Sequence, residues 1–239
     1  MDEPTDPRSH FKALWCSLSP QSCLAGHARP GVELPTTDAP GSRAKGRRRA
    51  RLDAESVVPV KKNAKKQRAV IVFVDETGVS LRPYHVRTWA PRGHTPTLQY
   101  SFNWKNLSII GGITFRSIYF RTFAGSIRSP EVILFLGDLF RHLRGKVILV
   151  WDRLPVHRSH AVQEFLQRYP RVMFEYLPPY APDLNAMEYV WGIFKKHGMA
   201  NFCPEHVSEL SRQTRKELGR IRRSKTIIAS CWVQTKLPV

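Results

Sequence analysis

Ala69-Val70-Ile71-Val72-Phe73-Val74-Asp75-Glu76-Thr77-Gly78 is a run of six apolar, mostly β-branched residues that closes on two acids and a glycine. A continuous apolar run of this length is the pattern of a strand covered on both faces, as in parallel sheets flanked by helices. The sequence therefore predicts a strand over 69–74 that ends in a turn at 75–78. Val147-Ile148-Leu149-Val150-Trp151-Asp152 repeats the pattern and again ends on an acid, and a third strand is predicted over 172–177. Between the last two, Val162, Phe165, Leu166 and Tyr169 recur at helical spacing and predict a helix over 159–169. Buried strands alternating with helices define an α/β fold.

Further strand-like stretches at 86–90, 97–102, 107–114 and 118–124 are joined by Pro- or Gly-containing turns and predict an antiparallel meander. Ser129-Pro130 reads as an N-cap with a first-turn proline, followed by Val132, Ile133, Phe135, Leu136, Leu139, Phe140 and Leu143 on one helical face. After the third buried strand a Pro-rich loop at 178–182 leads into a helix over 185–197, with Met187, Val190, Trp191 and Phe194 as its core stripe. A basic helix is expected over 205–223. The fold class is thus a mixed central sheet flanked by helices, spanning 69–225. Residues 1–42 read as a poorly ordered segment, 43–68 as a basic linker or short helix, and 226–239 as a C-terminal tail.

The 239 residues carry 38 Lys and Arg against 19 Asp and Glu, a formal charge of +19. An excess of this size suits a polyanionic partner such as nucleic acid. The excess lies at the flanks: 43–68 carry a net +9 and 189–239 a net +7, against +5 for 69–188. Candidate phosphate contacts are Arg47, Arg48, Arg49, Arg92, Lys105, Arg153, Lys195 and Lys196, with a solvated charged face as the alternative. No apolar run approaches the roughly 20 residues of a membrane span, and the acidic start lacks the features of a secretory signal. The expected place is the cytoplasm. Cys16, Cys23, Cys203 and Cys231 show no zinc-site spacing and are expected as free thiols.

Asp75 and Asp152 each end a buried strand, and in open α/β sheets ligands bind outside the carboxyl ends of strands. Glu188 falls in the first turn of the helix after the Pro-rich loop. Three converging carboxylates suit a hard divalent cation such as Mg²⁺, and two ions about 4 Å apart suit phosphodiester cleavage. Each acid also has a purely structural reading: a strand-end turn for Asp75, a cap for Asp152, a capping box with Asn185 for Glu188. A carboxylate pair acting on carbohydrate is the competing chemistry, but it explains neither the charge nor a third acid. His157 and His160 near the second acid are open between metal or phosphate contact and a surface or capping role. Trp89 and Trp104 are open between stacking on bases and packing, and Arg92, His94 and Lys105 between backbone contact and a solvated face.

Four stretches resemble one known family: Val72-Phe73-Val74-Asp75-Glu76-Thr77-Gly78; Arg87-Thr88-Trp89-Ala90-Pro91-Arg92-Gly93; Val150-Trp151-Asp152 with His157; and Leu177-Pro178-Pro179-Tyr180-Ala181-Pro182-Asp183-Leu184-Asn185-Ala186-Met187-Glu188-Tyr189-Val190-Trp191. They look like the insertion-sequence 630 transposases, bacterial relatives of the mariner transposases within the DDE superfamily endonucleases. The resemblance covers residues 46–225, and the 35 residues between Asp152 and Glu188 are close to the family's usual spacing. It implies an RNase H-like fold, with Asp75, Asp152 and Glu188 as the catalytic triad and as ligands of two Mg²⁺ or Mn²⁺ ions. Implied as well are hydrolysis at transposon ends, strand transfer into target DNA, double-stranded DNA as partner, and a homodimer as one form of the active complex. The chain departs from the family pattern at Asp152-Arg153, where many members have Asp-Asn or Asp-Gly, and at Asn185-Ala186, where they have Asn-Pro. Family members carry helix-turn-helix modules ahead of the catalytic domain, whose pattern 1–42 does not show. The expectation is a chain that lacks that region, with a catalytically inactive, non-specific DNA-binding remnant as the alternative, and a structure-selective nuclease on the same fold as a third.

Overall fold

The computed structural model describes residues 60–235 apart from 61, 93, 95, 101–104 and 180. Residue contacts divide the chain into Met1–Arg48 and Arg49–Val239, and every described residue belongs to the second unit. The expectations for 1–42, for 43–59 including Arg47, Arg48 and Arg49, and for Trp104 lie outside the described residues. Residues 60 and 62–67, in the segment read as a basic linker or short helix, are helical.

Strands β1 (Val70–Ser80), β2 (Asn106–Ile113) and β3 (Ile118–Ala124) pair antiparallel, and β4 (Val147–Trp151) and β5 (Val172–Tyr176) run parallel to β1. Their spatial order is β3-β2-β1-β4-β5. Helix α1 (Ser129–His142) connects β3 to β4, α2 (His160–Gln167) connects β4 to β5, and α3 (Ala186–Ile193), α4 (Val207–Arg223) and α5 (Lys225–Gln234) follow. Successive strand residues point to opposite faces. Phe73, Ile109, Ile113, Ile148 and Val150 meet α3, α4 and α5 on one face. Val72, Val74, Ile110, Leu149 and Trp151 meet α1 and α2 on the other. Burial on both faces is why β1 and β4 read as unbroken apolar runs, and each such side chain contributes about 1.5–3 kcal/mol.

Several expectations are corrected. Residues 75–78 are not a turn but the middle of β1. Pairing with β4 stops at Phe73↔Val150, yet pairing with β2 continues from Phe73↔Ile113 to Ser80↔Asn106, so a hydrogen-bonded partner keeps the chain extended past the acids. The strands expected at 86–90 and 97–102 are not formed among the described residues. Val86 is held by a side chain instead: its N–H donates to Asn201 Oδ1 and its carbonyl accepts from Asn201 Nδ2, both at 2.9 Å. β-branched composition alone did not supply a neighbouring strand. Helix α1 is capped at Arg128 rather than Ser129, the Arg128 N–H donating to Glu131 Oε2 at 2.9 Å. The helix expected over 185–197 is α3 followed by a π-helical turn, Phe194–Gly198. The segment read as a tail starts inside α5, whose Ile228, Cys231 and Trp232 are buried in the core. Cys203 and Cys231 are free thiols, and among the described residues no helix is long and apolar enough to cross a membrane.

Candidate active site

Asp75 and Asp152 are brought together by strand register. Each stands two residues beyond the last β1–β4 pair, Phe73↔Val150, so Asp75, still within β1, and Asp152, just past the end of β4, lie at matching positions of adjacent parallel strands. Glu188 enters from above, in the first turn of α3, whose N-cap Asn185 accepts a hydrogen bond from the Met187 N–H at 3.1 Å. That cap fixes where the helix begins and hence where Glu188 stands. Asn185 Oδ1 and the first-turn position of Glu188 are the features expected of a helix start, and the Glu188 side chain is exposed.

Asp75 points to the same face as Phe73 and is buried. Its Oδ2 accepts a hydrogen bond from Trp191 Nε1 at 3.0 Å. Burial, then the charges of Glu188, Glu76 and Asp152, push its carboxyl up to about 8. The space for this contact comes from Gly111, the β2 partner of Asp75. A Cβ there would stand 2.7 Å from Met187 Cε and 2.8 Å from Trp191 Cη2.

Glu76 turns to the opposite face and meets His157, which lies in the 3-10 turn Pro155–Arg158 after β4. His157 Nε2 is 2.9 Å from Glu76 Oε1, and Nδ1 is 2.8 Å from Asp152 Oδ1 and 3.3 Å from the Asp152 carbonyl oxygen. The ring stacks on Trp151 with centroids 4.3 Å apart and planes at 7°. Burial disfavours charge on this ring, but the hydrogen bonds to Asp152 and Glu76 outweigh it and raise His157 to about 10. The Asp152 carboxyl is conversely held below its ordinary value: burial raises it, while His157 and the Leu154 N–H, which donates to Oδ1 at 3.0 Å, lower it by more. Asp152 caps no helix: the N-cap of the 3-10 turn is Leu154, without a side-chain cap, and the Asp152 carboxylate closes a local turn two residues before it.

In donor chemistry the three acids fit a hard divalent cation: all offer carboxylate oxygens, and their charges raise Asp75 in the way a bound cation would relieve. Glu76 Oε2 adds a buried oxygen without a hydrogen-bond partner among the described residues. The side chains are not drawn into a common cage, since among the described residues no group of three or more His, Cys, Asp or Glu is close enough to hold an ion.

Of the remaining candidates, Arg92, Lys105, Arg153 and Lys196 are exposed, and Lys195 is half-buried. Lys195 lines a cavity of about 400 Å³ with Gly78, Arg82, Tyr84 and His85, and none of the three acids lines it. Trp89 is 71% exposed, so it does not pack in the core. His160 is exposed, whereas His157 has no exposed surface, which overturns its reading as a surface histidine. Sequence reasoning missed Glu76, and it saw Trp191 only as core. The available signal was the i, i+3 spacing of Glu188 and Trp191, which puts both on one side of α3.

The sequence profile described as "DDE superfamily endonuclease" matches residues 70–211. No curated protein sequence matches the chain. Among solved structures, the Mos1 mariner paired-end complex with Mn superposes with a TM-score of 0.59 at 17% identity, covering 88% of this chain and 64% of that one. The Mos1 strand transfer complex gives 0.60 at 16%, covering 95% and 66%. The Mos1 catalytic domain with raltegravir and Mn gives 0.55 at 16%, covering 86% and 92%. The chain thus spans just under two thirds of the longer Mos1 chains and nearly all of the catalytic domain's length. At these identities the likeness establishes the fold alone: the RNase H-like fold of the Mos1 catalytic domain, here a five-stranded mixed sheet with flanking helices. With more than half of its residues inside the profile, the chain belongs to the DDE superfamily endonucleases.

Proposed function

We propose that this chain is the catalytic domain of an insertion-sequence 630 type transposase, with Asp75, Asp152 and Glu188 as ligands of two Mg²⁺ or Mn²⁺ ions. The observation that carries the reading is the β1–β4 register, which sets Asp75 beside Asp152 just beyond the point where β1 and β4 stop pairing, at the carboxyl end of β4 where α/β sheets bind ligands, with the charge of Glu188 felt at Asp75. When bound, such ions activate an attacking oxygen and stabilise the leaving one at a phosphodiester. The chain's own contribution is to hold the carboxylates on three separate elements. Asp75 is fixed by Trp191, Asp152 by His157 and the Leu154 N–H, and Glu188 by the capped start of α3. The proposed reaction is hydrolysis at transposon ends followed by strand transfer into target DNA, and the paired-end and strand-transfer complexes of Mos1 support DNA as the substrate.

The test is cleavage of duplex DNA carrying candidate terminal repeats, with Mg²⁺, Mn²⁺ or EDTA. Metal-dependent nicking is expected from the parent, and a loss of about 10³-fold or more from Asp152→Asn, as befits removal of a charge aimed at the transition state. A second reading, a DNA-binding remnant without catalysis, is favoured by the absence of a preformed three-residue cage among the described residues. DNA binding with no metal-dependent product from any end sequence would establish that second reading in place of the first.

A further inference from the structure

His157 occupies a position that packing alone does not explain. It lies on a short turn between exposed Pro155 and exposed Arg158, yet its side chain has no exposed surface. The turn is anchored from below: Gln163 Nε2 donates to the His157 carbonyl at 2.9 Å and to Tyr176 Oη at 3.3 Å. The ring spans from β1 to the end of β4, one nitrogen against Glu76 and the other against Asp152. Both side-chain contacts of Asp152, from His157 and from the Leu154 N–H, fall on Oδ1. Among the described residues, Oδ2 receives none.

We infer that His157, held by Glu76, is a positioning residue for Asp152: it fixes the carboxylate through Oδ1 and leaves Oδ2 as the oxygen for a ligand. The inference rests on the proposed role of Asp152 as a metal ligand. Partners behind a first ligand orient it, and their loss commonly lowers metal affinity about 10- to 100-fold. Two kinds of atom do separate work here. The Trp151 stack restrains the ring plane, and the two nitrogens set the carboxylates, so packing and positioning can be separated by substitution.

The experiment uses the full chain and Mn²⁺ alone, with free Mn²⁺ followed by electron paramagnetic resonance and melting followed in EDTA. His157→Phe keeps a planar ring against Trp151 but has no N–H. It should bind Mn²⁺ about 10- to 100-fold more weakly. His157→Gln, whose amide can still donate to Asp152, should recover most of that loss even if its melting temperature is no higher than that of His157→Phe. Parental affinity in His157→Phe, or affinities that merely track melting temperature across the two variants, would overturn the inference. A measurement on the parent covers the case in which His157→Phe does not fold. With ¹⁵N-labelled histidine, both ring N–H protons of His157 should exchange slowly, Asp152→Asn shifting mainly Nδ1 and Glu76→Gln mainly Nε2. Rapid exchange at both nitrogens in a parent that binds Mn²⁺ would overturn the positioning role alone. Slow exchange in a parent that binds no Mn²⁺ would overturn the metal-site reading and the inference with it.

Discussion

At the scale of single residues, the candidate site depends on a few donors that hold carboxylates in place. Trp191 is buried in the core and spends its one N–H on Asp75 Oδ2. Trp191→Phe keeps most of the apolar contact and removes the donor, leaving a buried carboxyl without it. A loss of about 1–3 kcal/mol is expected in urea denaturation, together with slower DNA cleavage; an unchanged midpoint would show that the bond contributes nothing net. On the surface the balance differs. Asp138 pairs with Arg121 and Arg141, and those two partners hold its carboxyl below the ordinary value of 3.8 against the opposing effect of desolvation. A depressed folded-state pKa means that the stabilisation is present above the ordinary value and is lost as pH falls through the depressed one. Because the side chain is about a third exposed, solvent screening limits the effect to under about 1 kcal/mol. The melting temperatures of parent and Asp138→Asn should therefore differ slightly near neutrality and converge in acid.

At the scale of elements, the contact between α3 and β2 sets the depth of the site. Gly111 lets Met187 and Trp191 approach the sheet directly opposite Asp75. A Cβ at 2.7–2.8 Å from both side chains must displace them, and overpacking of this kind costs about 1–3 kcal/mol. Gly111→Ala should lower stability by that amount and reduce cleavage further than the stability loss accounts for, since it moves Trp191 away from Asp75. Gly78→Ala is the matched control, because a Cβ there meets nothing within 4 Å. Equal effects of the two substitutions would mean that close helix–strand approach does not govern the site.

At the scale of the whole molecule, charge lies outside the sheet core. Helix α4 carries exposed Arg212, Lys216 and Arg223 on the side away from buried Leu210, Leu218 and Ile221, exposed Arg215 at its flank, and Arg222 over the Phe120 ring of β3. If these cations meet phosphates, log K for duplex DNA should fall with log salt by about 0.9 per contact. Replacing Arg212, Arg215 and Lys216 with alanine should make the slope shallower by up to about 2.7, as measured by fluorescence anisotropy across a salt series. An unchanged slope would assign α4 to the solvated surface. This charge distribution was legible in the sequence, as were β2 to β5, the apolar faces of α1 and α3, and the acids Asp75, Asp152 and Glu188 as candidates. All of these follow from local periodicity and composition. The sequence by itself determined that two buried apolar strand segments each run directly into an acid, because the apolar runs and the acids that follow them are written consecutively in the chain. Only the tertiary structure decided that β1 runs on through Asp75 to Ser80, that 86–90 is not a strand, and that His157 is buried between Glu76 and Asp152. The physical reason is common to all three: a strand needs a hydrogen-bonded neighbour and a buried histidine needs acceptors. Those partners lie at β2, at Asn201 and at Glu76, each far away in the chain.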